Sequence, residues 1–291
     1  MEPRIVSSAV SRFLVALRRH PAASWAGVLL YAAIVTFPHD DVQALVGRLA
    51  KWMGRAHLYQ AAGAIAFVIG AGLSLFIFRQ ASERAVRGFW VIILLLSFGT
   101  WRLLTANNTE LVHYPQYIPE GAAIMALTLS PVETLCWIAL LGSIDEDFQY
   151  WGLHGAWSVP FDFNDVYMDL LGGAMGLLLA MAILGTVPAA RQKGFWRRLA
   201  GRPGVLAVFG VVVSGLVLWA CGKMVLFKED GGAGYWFALS RAQRSANFWF
   251  FNETWAPHTF HTLLPLEGPA LMAATAALFA VLERRVKVAV K

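Results

Sequence analysis

Eight long apolar stretches separated by short polar segments organise the chain, at about residues 22–38, 57–78, 88–104, 116–129, 132–149, 164–186, 204–226 and 266–282. Runs of roughly 17 to 22 apolar residues, at about 1.5 Å of helix per residue, match a hydrocarbon core of roughly 30 Å. The apolar positions do not alternate as they would in a β-barrel strand. The pattern therefore predicts an all-α, polytopic transmembrane helix bundle of about eight spans, with both termini on one side. Only Ser130 and Pro131 separate the fourth and fifth stretches. Proline lacks an amide proton and suits a first helical turn, so these two spans are expected to form a tight antiparallel hairpin.

Two further segments read as interfacial. In DDVQALVGRLAKWMGR, Val42, Leu45, Leu49, Trp52 and Met53 fall on one helical arc. This predicts an amphipathic helix lying flat in the interface, with Asp40 and Asp41 at its N-terminus. Residues 227–265 contain GYWFALSRAQRSANFWFFNETW, with aromatics at both ends and Arg241, Gln243 and Arg244 between them. That arrangement suits a helix resting on the membrane as an anchor, or else a lid over a site. The first apolar stretch, AASWAGVLLYAAIVTF, runs into PHDD without a small-residue cleavage site and reads as a retained span. With neither an internal repeat nor a low-complexity linker, residues 1–291 parse as a single integral membrane domain.

Composition agrees: 58% of residues are hydrophobic, 14% are charged and the mean hydropathy is +0.56. A net charge of +6 and a pI near 9.5 raise the question of nucleic acid. The basic residues, however, fall in short clusters between apolar runs, which points to topology and excludes a nucleic-acid partner. Sixteen of the 24 Lys and Arg lie on the side of the N-terminus, in clusters at 4–19, 79–87, 191–202 and 284–291. The stretches 105–118 and 150–163 carry none. Both termini are thus expected in the cytoplasm, with Arg48, Lys51 and Arg55 as outward exceptions on the amphipathic segment. Cys136 and Cys221 lie inside apolar spans and form no metal-ligand or disulfide pattern.

Three polar stretches converge on the outer side in this topology. In HYPQYIPEG, His113, Tyr117 and Gly121 repeat every four residues and share a helix face. In DEDFQ, Gln149 stands four residues after Asp145 and three after Glu146. In DFNDVYMDLLGGAMG, Asp165, Asp169, Gly172 and Gly176 lie along one stripe, and the two glycines form a small-xxx-small pattern that admits a neighbouring helix. Asp169 is expected about one turn inside the membrane, a depth at which carboxylates normally face a cavity or a partner. Asp147 and Asp162 read as solvated ends or caps, whereas Asp145, Glu146, Asp165 and Asp169 read together as a site with His113 as the nearest partner. Close acids require a proton, a cation or a donor among them. Oxygen ligands would suit magnesium or calcium, but the spacing matches no known cage, so neither metal nor cofactor is assigned. HTFH at 258–261 either places two imidazoles on one helix face or is an interfacial loop, and His39, His57 and His154 also fall on the outer side. GxSxG, HExxH and Walker patterns are absent, and no catalytic residue is named.

As an ordered set, these stretches resemble the VanZ-like family of bacterial membrane proteins. The matching elements are HxxxYxxxG at His113, Tyr117 and Gly121, DExxQ at Asp145, Glu146 and Gln149, and a third at Asp165, Asp169 and Gly172, all within residues 108–180. Asp169 stands where the family has Asn, and the family's arginine before the third element has no counterpart between Gly152 and Asn164. The resemblance implies a multi-pass protein of the bacterial inner membrane and cell envelope, sometimes linked to resistance to the glycopeptide antibiotic teicoplanin. The function expected is an outward-facing acidic pocket that binds a membrane lipid or a lipid-linked envelope precursor. Its rivals are an enzyme acting on a lipid-linked substrate, a structural subunit that contacts a protein partner through loop 227–265, and a proton-coupled transporter.

Overall fold

The structure is a computed structural model describing residues 9–150, 161–189, 194–227, 230–231, 234–239, 248–252 and 256–289. Among the described residues it is all-α and 79% helical. The helices among the described residues are α1 (Ala9–Arg19), α2 (Pro21–Thr36), α3 (His39–Met53), α4 (Arg55–Gln80), α5 (Arg84–Leu103) and α6 (His113–Thr128). There follow α7 (Pro131–Phe148), α8 (Phe163–Leu184), α9 (Phe195–Ala200), α10 (Pro203–Ala220) and α11 (Glu267–Arg285). Each of the eight apolar stretches thus contains a helix. Among the described residues four of these, α4, α5, α8 and α10, are long and apolar enough to cross a membrane, or five if α2 and α3, bent by 45°, form one broken span. Helix α6, with 16 residues, is about 24 Å long, short of a hydrocarbon core of roughly 30 Å.

Burial ranks the helices. In the apolar window of α8, 94% of residues are buried, against 6% in α4 and in α10, so α8 is the axis and the other two present apolar side chains outward. Contact between α6 and α8 is backbone to backbone. A Cβ at Gly121 would overlap the Gly173 backbone, and one at Gly176 would overlap the Ile118 carbonyl. At Gly172 it would stand 2.7 Å from the Tyr114 carbonyl oxygen. Only the missing side chains allow these helices to approach so closely.

Local chemistry explains the hairpin. Leu129 takes a left-handed φ of 54° after α6. Ser130 then caps α7, its hydroxyl accepting from the Glu133 amide at 3.2 Å, and Pro131 occupies the first turn. A polar clamp closes this end. Arg202 Nη1 lies 2.6 Å from Glu283 Oε1, the Ser130 hydroxyl donates to Glu283 Oε2 at 2.9 Å, and Arg202 also meets Ser130 directly. The clamp ties the α6–α7 turn to the start of α10 and the end of α11. Glu283→Ala should cost about 1–3 kcal/mol by leaving Arg202 and Ser130 without their shared acceptor. Thermal unfolding in detergent would show this as a lowered midpoint, and an unchanged midpoint would mean that the clamp contributes nothing.

The amphipathic segment is helical, as its period requires, and α3 buries none of its residues. Val42, Leu45 and Trp52 remain exposed, and Gly54, at φ +84°, turns the chain into α4. The aromatic loop departs from expectation. Where residues 227–265 were read as a surface helix, the described parts carry short strands: Phe237–Ala238 pairs with Met224–Val225, and Phe250–Asn252 pairs with Ala256–Phe260. Phe, Thr and Trp favour extended backbone, and Pro257 has no amide to give to a helix. Arg241, Gln243 and Arg244 lie outside the described residues. A further strand pair, Thr186–Pro188 with Val286–Val288, joins the ends of α8 and α11.

Candidate functional site

A cleft of about 880 Å³ opens between the α3–α4 corner and one end of α6, α7 and α8. It lies at the opposite end of α7 from the Arg202 clamp: Glu133 and Glu146 are 13 residues apart in the helix, hence about 20 Å. Three local structures place the polar groups. Asn107 caps a 3-10 turn at Asn108–Val112, its Oδ1 accepting from the Thr109 amide at 2.9 Å, and this turn delivers His113 to the first position of α6. The α7 ladder carries Asp145 and Glu146 into its last turn. Asp162 caps α8, its Oδ1 accepting from the Asn164 amide at 3.0 Å, and so sets Asp165 in the first turn and Asp169 one turn below.

The three predicted stretches meet. His113, Asp145, Glu146, Gln149 and Asp165 line the cleft, together with Asp162. The His113 ring bridges two helices: Nδ1 hydrogen-bonds Asp169 Oδ1 at 2.8 Å, and Nε2 is 3.7 Å from Asp165 Oδ1. Glu146 is held from both sides, accepting from Gln149 Nε2 at 3.0 Å and from the Asp162 amide at 3.3 Å. Tyr117 and Asp169 are buried behind the lining. Gly121, Gly172 and Gly176 take no part in the cleft and set the α6–α8 distance. Of the two sequence readings for Asp162, a solvated end or a helix cap, the cap holds; the residue is 5% exposed and its amide donates to Glu146.

Not all the acid oxygens are satisfied. Asp145 Oδ1, Asp169 Oδ2 and Glu120 Oε1 are buried without a hydrogen-bond partner among the described residues. Buried polar atoms are nearly always paired, so an orphaned carboxylate oxygen is an acceptor for a proton or for a donor from outside the chain. Asp145 is the one of the three that also lines the cleft. Glu120 was not singled out in the sequence, although it stands seven residues after His113 in HYPQYIPEG and so shares its face. Also unforeseen is Asn164, whose amide donates to the Leu104 and His261 carbonyls, both at 2.9 Å, and ties three segments together behind the site.

The facing wall differs in character. Lys51 and Arg55 stand at its rim, and Val35, Val42, Val46 and Leu58 supply apolar surface. The HTFH histidines are on or beside a strand rather than a helix face. His258 Nε2 bonds the Thr105 carbonyl at 3.0 Å, while His261 meets Glu267 at 2.7 Å and stacks on Phe248 at 3.9 Å, so both serve local packing. His154 lies outside the described residues. No three His, Cys, Asp or Glu side chains converge in metal-ligand geometry among the described residues.

Fold and site together define a helical bundle with membrane-length apolar helices and a polar, acid-walled cleft at one end. Compared with protein-family models, curated proteins and solved structures, the chain matches none. None of these comparisons identifies a VanZ-like family.

Proposed function

We propose that the chain is an eight-span, VanZ-like protein of the bacterial inner membrane, with cytoplasmic termini, whose outward cleft binds the headgroup of an envelope lipid or lipid-linked precursor. The observation that carries this reading is that Asp145, whose Oδ1 is buried without a hydrogen-bond partner among the described residues, lines a cleft with acids on one wall and apolar side chains on the other. An amphiphile supplies what each wall lacks: donors for the carboxylates, and hydrocarbon for Val35, Val42, Val46 and Leu58. The short α6 and the less apolar α7 are accommodated on this reading because their polar ends open on the cleft rather than on lipid. On this reading, an effect on the cell envelope, including glycopeptide resistance, would follow from which lipid is held.

Native mass spectrometry of protein released from its own membranes would test the reading. The Asp145→Asn, Glu146→Gln double variant keeps volume and removes the acidic acceptors. Bound lipid should fall at least tenfold relative to wild type, with the thermal unfolding midpoint preserved. Equal lipid retention by the folded variant would refute the pocket.

A further inference from the structure

We infer that the cleft is selective for an aminophosphate headgroup, in which a primary ammonium and a phosphate diester stand side by side, as in phosphatidylethanolamine. The inference rests on the lipid-binding reading above and names the chemistry within it.

The cleft is dipolar. Asp145, Glu146, Asp162 and Asp165 occupy the wall formed by α7 and α8, and Glu110 on the 3-10 turn adds a fifth acid that accepts from the Ala106 amide, whereas Lys51 and Arg55 occupy the corner where α3 passes into α4. Gly54, at φ +84°, lies at that corner between the two cations, and both line the same cleft. In sequence these cations are an anomaly among outward segments; in the structure they face the acids.

Charge complementarity then sorts the candidate headgroups. A purely anionic headgroup, such as phosphatidylglycerol, would meet the carboxylates. A purely cationic ligand, such as a polyamine, would meet Lys51 and Arg55. A glycolipid offers hydroxyl donors to the acids but no anion for Lys51. An aminophosphate satisfies both walls at once. Its ammonium carries three N–H donors and no acceptor, suiting Asp145, a cleft-lining carboxylate whose buried Oδ1 has no hydrogen-bond partner among the described residues. Its phosphate accepts charge-assisted bonds from lysine and arginine. The headgroup is neutral overall, which lowers the cost of bringing it beside buried groups. A volume of about 880 Å³ exceeds what such a headgroup needs, leaving the apolar wall for the glycerol and the first carbons of the chains.

The test uses the full-length protein in detergent micelles, with equimolar phosphatidylethanolamine, phosphatidylglycerol and diglucosyl-diacylglycerol of matched chains, read by native mass spectrometry. Phosphatidylethanolamine should be retained at least tenfold over each of the others. Lys51→Glu, at an exposed position that cannot disturb the core, should remove that preference, and Lys51→Arg should keep it. Soluble glycerophosphoethanolamine identifies the source. Displacement of the lipid at equal concentration would make the free headgroup the ligand; failure to displace would make it the lipid, and either result supports the aminophosphate chemistry. Equal or better retention of phosphatidylglycerol or the glycolipid, still abolished by Asp145→Asn, Glu146→Gln, would overturn this inference and leave the pocket standing. Retention indifferent to those acids would overturn both.

Discussion

Gly176→Leu is expected to abolish recovery of folded protein. The Cβ alone would overlap the carbonyl of Ile118, a backbone atom on α6 that no rotamer change can move. Relief requires α6 and α8 to separate, and with them the Gly121–Gly173 and Gly172–Tyr114 approaches along the same seam. Overpacking a tight core costs roughly 1–3 kcal/mol and more where backbone must move, and a helix pair forced apart belongs at the upper end. Against a total stability of about 5–15 kcal/mol, that is a large fraction. Gly210→Leu is the control, because on α10 a Cβ at that position meets nothing within 4 Å. Size-exclusion profiles in mild detergent should show a monodisperse peak for Gly210→Leu and aggregate for Gly176→Leu. Matching monodisperse peaks would mean that α6 and α8 do not pack as described.

The second large effect concerns His113 and Asp169. Asp169 is fully buried, and among the described residues one of its oxygens has no hydrogen-bond partner and the other is bonded only to His113, at 2.8 Å. His113→Leu strips that carboxyl of its only described partner and should destabilise by about 3–5 kcal/mol, as when one member of a buried pair is removed. Asp169→Leu, similar in volume, should cost less, because His113 retains Asp165 at 3.7 Å. Replacing both by Leu should recover much of the loss, since apolar groups of the same shape leave no buried polar atom behind. A double-mutant cycle on thermal or denaturant unfolding would measure a coupling of at least about 1 kcal/mol. Strictly additive losses would show that the two side chains do not act on each other.

What could be read from the chain was what local periodicity carries. The Gly172 and Gly176 stripe, the Ser130–Pro131 turn and the amphipathic arc of α3 each depend on residues within a few positions of one another, and each has a local structural counterpart. The common face of His113 and Tyr117 was legible for the same reason, yet Glu120 on that face was passed over. Its significance lies in burial between helices, which spacing along one helix does not report. Lys51 and Arg55 were visible only as exceptions to the charge count, because nothing near them in sequence says that the Gly54 corner turns them toward acids a hundred residues away. In the aromatic loop, interfacial content does not fix the backbone: the described flanks pair as strands, Phe250–Asn252 with Ala256–Phe260, while the stretch around Arg241, Gln243 and Arg244, where a helix is expected, lies outside the described residues. Composition there sets affinity for the interface and leaves backbone conformation open.

The two walls of the cleft are built to different standards of rigidity. The acidic wall joins the last turn of α7 to the first turn of α8, which is buried almost throughout, packed on α7 and locked to α6 by backbone contact, so its carboxylates hold their spacing. The opposing wall includes α3, which buries no residue and is joined to its neighbours at Pro38 and at Gly54. Swinging α3 aside therefore uncovers no core and draws little on the stability of the bundle. On the proposed lipid-binding reading, admission and selection would be divided between separate parts: a stiff side that measures what enters, and a loosely tethered side that governs how fast it comes and goes.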